Sequence, residues 1–122
     1  MNIIVVDDDL HSLQDVVMKI RMTAKREDKV YGFTDPAEML VYVEGHPCDV
    51  VFLKIEMEAM NGLDAAEKIQ QLRPKANIIF ESAFDCYMKK AFEIRCSGYL
   101  MQPIKNSDIQ GELDNLRFAY AY

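Results

Sequence analysis

Short apolar, β-branched runs alternate along this chain with stretches whose apolar residues recur every three or four positions. The clearest run, Val50-Val51-Phe52-Leu53, has the length and composition of a strand buried on both faces; the strand is expected over Asp49 to Leu53, and the run stops at a charged residue, Lys54. Asn2 to Val6 reads as an earlier strand ending on Asp7-Asp8-Asp9. Leu10, Leu13, Val16, Val17 and Ile20 then mark a helix from about Leu10 to Ala24. Lys29 to Phe33 makes a weaker second strand. Asp35-Pro36 opens a helix, with an N-cap residue before a proline at the first helical position, and Met39, Leu40 and Val43 form its apolar stripe. Leu63, Ala66, Ile69 and Leu72 predict a third helix after Asn61-Gly62. Asn77 to Phe80 predicts a fourth strand leading into Glu81-Ser82-Ala83. Tyr87, Met88, Ala91 and Phe92 then give a fourth helix and Gly98 to Met101 a fifth strand. From about Asn106, the residues Ile109, Leu113, Leu116 and Tyr120 share one face of a fifth helix.

Strands alternating with helices imply βαβ units, and hence a parallel sheet covered on both faces. Right-handed crossovers leave few topologies. The expectation is an α/β, flavodoxin-like, doubly wound three-layer sandwich of five strand–helix units in the order 2-1-3-4-5. The 122 residues suit one domain, 1–122. A formal charge of −6 argues against nucleic-acid binding by this domain, since phosphate contacts need clustered Lys and Arg. No apolar run approaches the roughly 18 residues of a membrane span, and no secretory signal pattern precedes the first strand. Cys48, Cys86 and Cys96 follow no metal-ligand spacing and read as reduced packing residues of a cytoplasmic protein. His11 and His46 lack partners at catalytic or metal spacing and are expected at the surface. Phe118, Tyr120 and Tyr122 are expected on the last helical turn as core or capping residues.

In an open α/β sheet, ligands bind outside the carboxyl ends of the strands. The expected topology delivers Asp7, Asp8, Lys54, Ser82 and Gln102 to that edge. Each alone has a bland reading: an acidic run suits a helix N-terminus, a serine at a strand end bonds local backbone, and a lysine there turns to solvent. Their convergence makes the functional case.

Over nearly its whole length the chain resembles the receiver domains of two-component response regulators. The resemblance rests on Val5-Val6-Asp7-Asp8-Asp9, on Leu53-x-Ile55-Glu56-Met57 with Asn61-Gly62-Leu63, on Ser82-Ala83, and on Gly98-Tyr99-Leu100-Met101-Gln102-Pro103-Ile104. Tyr87, Lys90-Ala91-Phe92-Glu93 and the Tyr-Leu-x-x-Pro-Ile ending look most like receivers of LytTR-type transcription regulators. The resemblance implies a regulatory, non-enzymatic module. In such modules two aspartates after the first strand and one after the third hold Mg²⁺, and the third-strand Asp accepts a phosphoryl group. A Ser or Thr after the fourth strand and a Lys after the fifth bind that group, and a fifth-strand aromatic acts as the switch. Carried over, Asp7 and Asp8 match the metal pair, Ser82 the hydroxyl and Tyr99 the switch aromatic.

Two positions depart from the pattern. Lys54 stands where the phosphoacceptor Asp belongs, and Gln102 where the phosphate-binding Lys belongs; Glu58 replaces a frequent proline. An amine forms no acyl phosphate, and its charge opposes Mg²⁺. On its four-carbon stem Lys54 reaches the Asp7–Asp8 pair, where an ion pair near ~4 Å is worth about 4 kcal/mol at an effective dielectric of ~20, before desolvation. The resulting expectation is a phosphorylation-independent pseudo-receiver with no bound Mg²⁺, in which Lys54 serves as a built-in counter-ion. It would act through a protein partner or an attached output domain, and could pair as a homodimer through the fifth strand and last two helices. The alternative is a conventional Mg²⁺-dependent, phospho-accepting receiver controlling a LytTR-type DNA-binding domain. A flavodoxin-like cofactor binder is disfavoured because Asp7-Asp8-Asp9 would repel a phosphate. A Schiff-base enzyme using Lys54 is disfavoured because two flanking carboxylates favour the charged amine.

Overall fold

A computed structural model describes residues 1–121, so Tyr122 lies outside the described residues. Five strand–helix units follow one another: β1 (Asn2–Val6), α1 (Leu10–Thr23), β2 (Lys29–Phe33), α2 (Pro36–Gly45), β3 (Val50–Lys54), α3 (Gly62–Leu72), β4 (Asn77–Ser82), α4 (Met88–Glu93), β5 (Gly98–Met101) and α5 (Asn106–Asp114). The strands form one parallel sheet in the order β2-β1-β3-β4-β5, as the alternation requires.

Two apolar layers sandwich this sheet. Ile4, Val6, Val51, Leu53, Ile78 and Phe80 face α2, α3 and α4, where they meet Met39, Val43, Ala66, Ile69 and Ala91. Ile3, Val5, Phe52 and Ile79 face the other way, onto Leu13, Val16 and Ile20 of α1 and Ile109 of α5. Since successive strand residues alternate between faces, the next residue in each central strand has a fixed orientation. Asp7, Lys54 and Glu81 continue the odd-and-even series of Ile3–Val5, Phe52 and Ile79, on the α1/α5 side.

Helix starts follow the expected chemistry. The Asp35 carboxylate accepts from the Ala37 amide at 2.9 Å, and the Asn61 side chain accepts from Leu63 N at 2.8 Å. Gly62 is required by close approach: a Cβ there would lie 2.2 Å from the Lys54 carbonyl oxygen.

Several expectations need correction. Helix α5 ends at Asp114, so Leu116, Phe118 and Tyr120 do not lie on a helical turn. The chain is instead drawn across the amino edge of the sheet. Arg117 N donates to Ser97 Oγ at 3.1 Å, Phe118 N to Asn77 Oδ1 at 2.7 Å, and Asn77 Nδ2 to Phe118 O at 2.8 Å. Leu116 still packs on the core, whereas Tyr120 is exposed. Leu10 and Phe92, expected on apolar stripes, face solvent, and Tyr87 caps α4 rather than lying within it. Cys48 and Cys96 are buried, and burial pushes their thiols up to about 12 and about 11; Cys86 is exposed and packs in no core. His46 is exposed, stacked on Tyr42 with ring centroids 4.0 Å apart, and His11 is exposed as expected. Strand β4 runs two residues further than expected, to Ser82, which places Glu81 in the ladder directly opposite Lys54.

Candidate functional site at the carboxyl edge of the sheet

The carboxyl ends of β1, β3 and β4 converge as expected. Asp7 is fully buried. One of its oxygens, Oδ1, accepts from Asp9 N at 3.0 Å and lies 3.6 Å from the Lys54 ammonium. Asp8 Oδ1 lies 3.9 Å from the same ammonium, and Asp8 Oδ2 accepts from Glu58 N at 3.1 Å. Lys54 therefore turns into the acidic pair rather than out to water. Burial still raises the Asp7 carboxyl above its ordinary range, outweighing the amide of Asp9 and the Lys54 charge, which both pull it down.

Two acids not anticipated as site residues complete the cluster. Glu81 is fully buried, with no hydrogen-bond partner on either oxygen among the described residues. Burial first, and the Asp7 charge second, push its carboxyl up to about 8 against the opposing pull of Lys54. Glu56, in the connector after β3, accepts a hydrogen bond from the Ser82 hydroxyl through Oε1, while its Oε2 is buried without a hydrogen-bond partner among the described residues. A pocket composed of Asp7, Asp8 and Lys54 alone thus undercounts the acids. The signal available in the sequence was a glutamate closing the apolar run Ile78-Ile79-Phe80, a position where a charge has to be buried if the strand continues.

Ser82 is buried, and its Oγ also accepts from Phe84 N at 2.9 Å. The hydroxyl of Tyr99, on β5, donates to Phe84 O at 2.5 Å, and its ring lies 6.5 Å from that of Phe80. Burial raises the Tyr99 phenol. Gln102 is the outlier. Its backbone N–H donates to Ser82 O at 2.9 Å, but its carboxamide joins no hydrogen bond among the described residues.

Receiver domains generally use Mg²⁺ at this edge, a hard ion with near-octahedral oxygen ligands at about 2.0–2.1 Å. The donor set fits that ion poorly. The ammonium of Lys54 already lies against the two carboxylates that would hold it, so a divalent cation would enter beside a like charge. Among the described residues, no group of three or more His, Cys, Asp or Glu side chains is arranged to hold a metal. No helix among the described residues is long and apolar enough to cross a membrane.

Known proteins are similar to this chain in sequence and in fold. The chain is 28% identical over 120 residues to the transcriptional regulatory protein YpdB of Escherichia coli K12, covering 98% of this chain and 49% of that protein. It is 31% identical over 115 residues to the sensory transduction protein LytR of Staphylococcus saprophyticus, covering 89% of this chain and 42% of LytR. This chain therefore spans about half the length of the curated relatives it matches. Among solved structures, the response regulatory domain of MrkE from Klebsiella pneumoniae superposes with a TM-score of 0.84 at 26% identity, covering 95% of this chain and 94% of that one. The sequence profile of the response regulator receiver domain matches residues 3–114. With that match laid over the 2-1-3-4-5 sheet and its acidic carboxyl edge, the chain belongs to the response regulator receiver domains.

Proposed function

We propose that this receiver works without phosphorylation, as a regulatory protein-interaction module whose Lys54 ammonium is a built-in counter-ion for Asp7 and Asp8. The observation that carries this reading is the placement of Lys54 Nζ 3.6 Å from Asp7 and 3.9 Å from Asp8, at the end of β3 where the family pattern calls for the phosphoacceptor carboxylate. An amine there offers no oxygen for an acyl phosphate. Gln102, uncharged, supplies no cation for a bound phosphoryl group. The domain is not an enzyme in this reading. It binds no Mg²⁺, and it presents the face around Tyr99, α4 and α5 to a protein partner or an attached output domain in the cytoplasm. Pairing with a second copy through α4, β5 and α5 is the associated expectation. That relatives are named transcriptional and sensory regulators supports an output in gene control.

The test is direct. The protein is incubated with Mg²⁺ and a small phosphodonor such as acetyl phosphate, then weighed by intact-mass spectrometry. The expected result is an unchanged mass. A stoichiometric gain of one phosphoryl group overturns the proposal.

A further inference from the structure

We propose that Glu56 is the positioning residue of the loop between β4 and α4: its carboxylate holds the Ser82 hydroxyl and, through it, the backbone of Phe84 and the ring of Tyr99. Four groups form one connected path. Ser82 Oγ donates its single proton to Glu56 Oε1. The same oxygen accepts from Phe84 N at 2.9 Å, and Phe84 O accepts from Tyr99 Oη at 2.5 Å. Phe84 is therefore fixed from both ends of its own backbone, by β4 through its N–H and by β5 through its carbonyl. Its side chain meanwhile stands 58% exposed. A hydroxyl has one proton to give, so while Glu56 accepts it Ser82 has none for another acceptor. A hydrogen bond to an ionised acceptor is among the stronger kinds. The serine is buried, so water does not readily replace the carboxylate.

This step rests on the reading above of a receiver that works without a phosphoryl group. Within it, Glu56 supplies from inside the chain an oxygen acceptor for Ser82, and its negative charge discourages an incoming anion at the same hydroxyl. The orientation of Tyr99 and the exposure of the Phe84 side chain then follow from residue 56.

Amide hydrogen exchange and side-chain NMR on the whole chain test the relay. In Glu56→Ala, the Phe84 amide should exchange about three- to tenfold faster, the effect of losing one net hydrogen bond, and the Tyr99 ring signals should move. Glu56→Gln, whose carboxamide oxygen still accepts from Ser82, should restore both. Ser82→Ala should reproduce the loss, and adding Glu56→Ala to it should change nothing further. Unchanged Phe84 exchange in Glu56→Ala, or a full additional loss in the double variant, overturns the proposal. The outcome is separable from the phosphodonor experiment: a protein that gains a phosphoryl group yet shows the relay refutes the pseudo-receiver reading and leaves the role of Glu56 standing.

Discussion

The two edges of the sheet are built to opposite rules. At the amino edge every strand start is tied down. The Met1 ammonium pairs with Asp28 at 2.8 Å, Asn2 N donates to Asp49 Oδ2 at 2.7 Å, and Asn77, almost fully buried, bonds Asp49 O and both backbone groups of Phe118. At the carboxyl edge, Asp7 Oδ2, Glu56 Oε2 and both oxygens of Glu81 are buried without a hydrogen-bond partner among the described residues. Buried polar groups are normally satisfied, and exceptions cluster where function sets the sequence. The amino edge serves the fold. The carboxyl edge leaves buried carboxyl oxygens without a hydrogen bond among the described residues.

Removing the cation should break this contrast most visibly. Lys54→Ala leaves Asp7 buried with no ammonium beside it, and urea denaturation should show a loss of about 3 kcal/mol, the low end for breaking a buried pair since Lys54 keeps some contact with water. A smaller change would mean the ammonium is not what holds the acids in place.

Next comes pH. The Glu81 carboxyl stands at about 8 in the folded chain against an ordinary 4.5, so the folded state holds a proton that the unfolded state has already released between those values. The stability this contributes is complete below pH 4.5 and is lost as pH rises through about 8, by an amount on the order of a few kcal/mol. Asp7, also raised, adds a slope of the same sign from its own range upward. Glu81→Gln should flatten most of the fall in thermal midpoint between pH 5 and 8; an unaltered slope would assign the fall to other groups.

The smallest effect belongs to the well-satisfied edge. Asn77→Ala should cost about 1–3 kcal/mol by orphaning the Phe118 amide, and it should do so equally at pH 5 and 8. A pH-dependent loss would show that the two edges are coupled.

Much of this fold is legible in the residues, and the reasons differ by element. The apolar runs of β1 and β3 have no alternative but burial, and Asp35-Pro36 and Asn61-Gly62 name their helix starts by local chemistry alone. Helix α5 is the instructive failure. Leu116 continues the 3.6-residue spacing, but Asn77 and Ser97, distant in sequence, capture the backbone at Arg117 and Phe118, and those tertiary bonds outbid a periodicity. At the site, Asp7, Asp8, Lys54 and Ser82 are readable because each lies at or just after the carboxyl end of a strand. Glu81 was not, because its importance depends on how far β4 extends, and strand ends are set by ladder pairing with β3 and β5 rather than by composition. Glu56 sits in an irregular connector, where no spacing rule says which hydroxyl a carboxylate will find.

One contact fixes how such a pocket could ever be tuned. The first residue of α3, Gly62, abuts the Lys54 carbonyl so closely that any β-carbon would have to push the strand aside, and its own N–H is anchored on Ile55 O at 2.8 Å. The start of α3 thus lies directly against the backbone of the residue that bears the ammonium. Position 62 is therefore closed to any residue larger than glycine while this geometry holds.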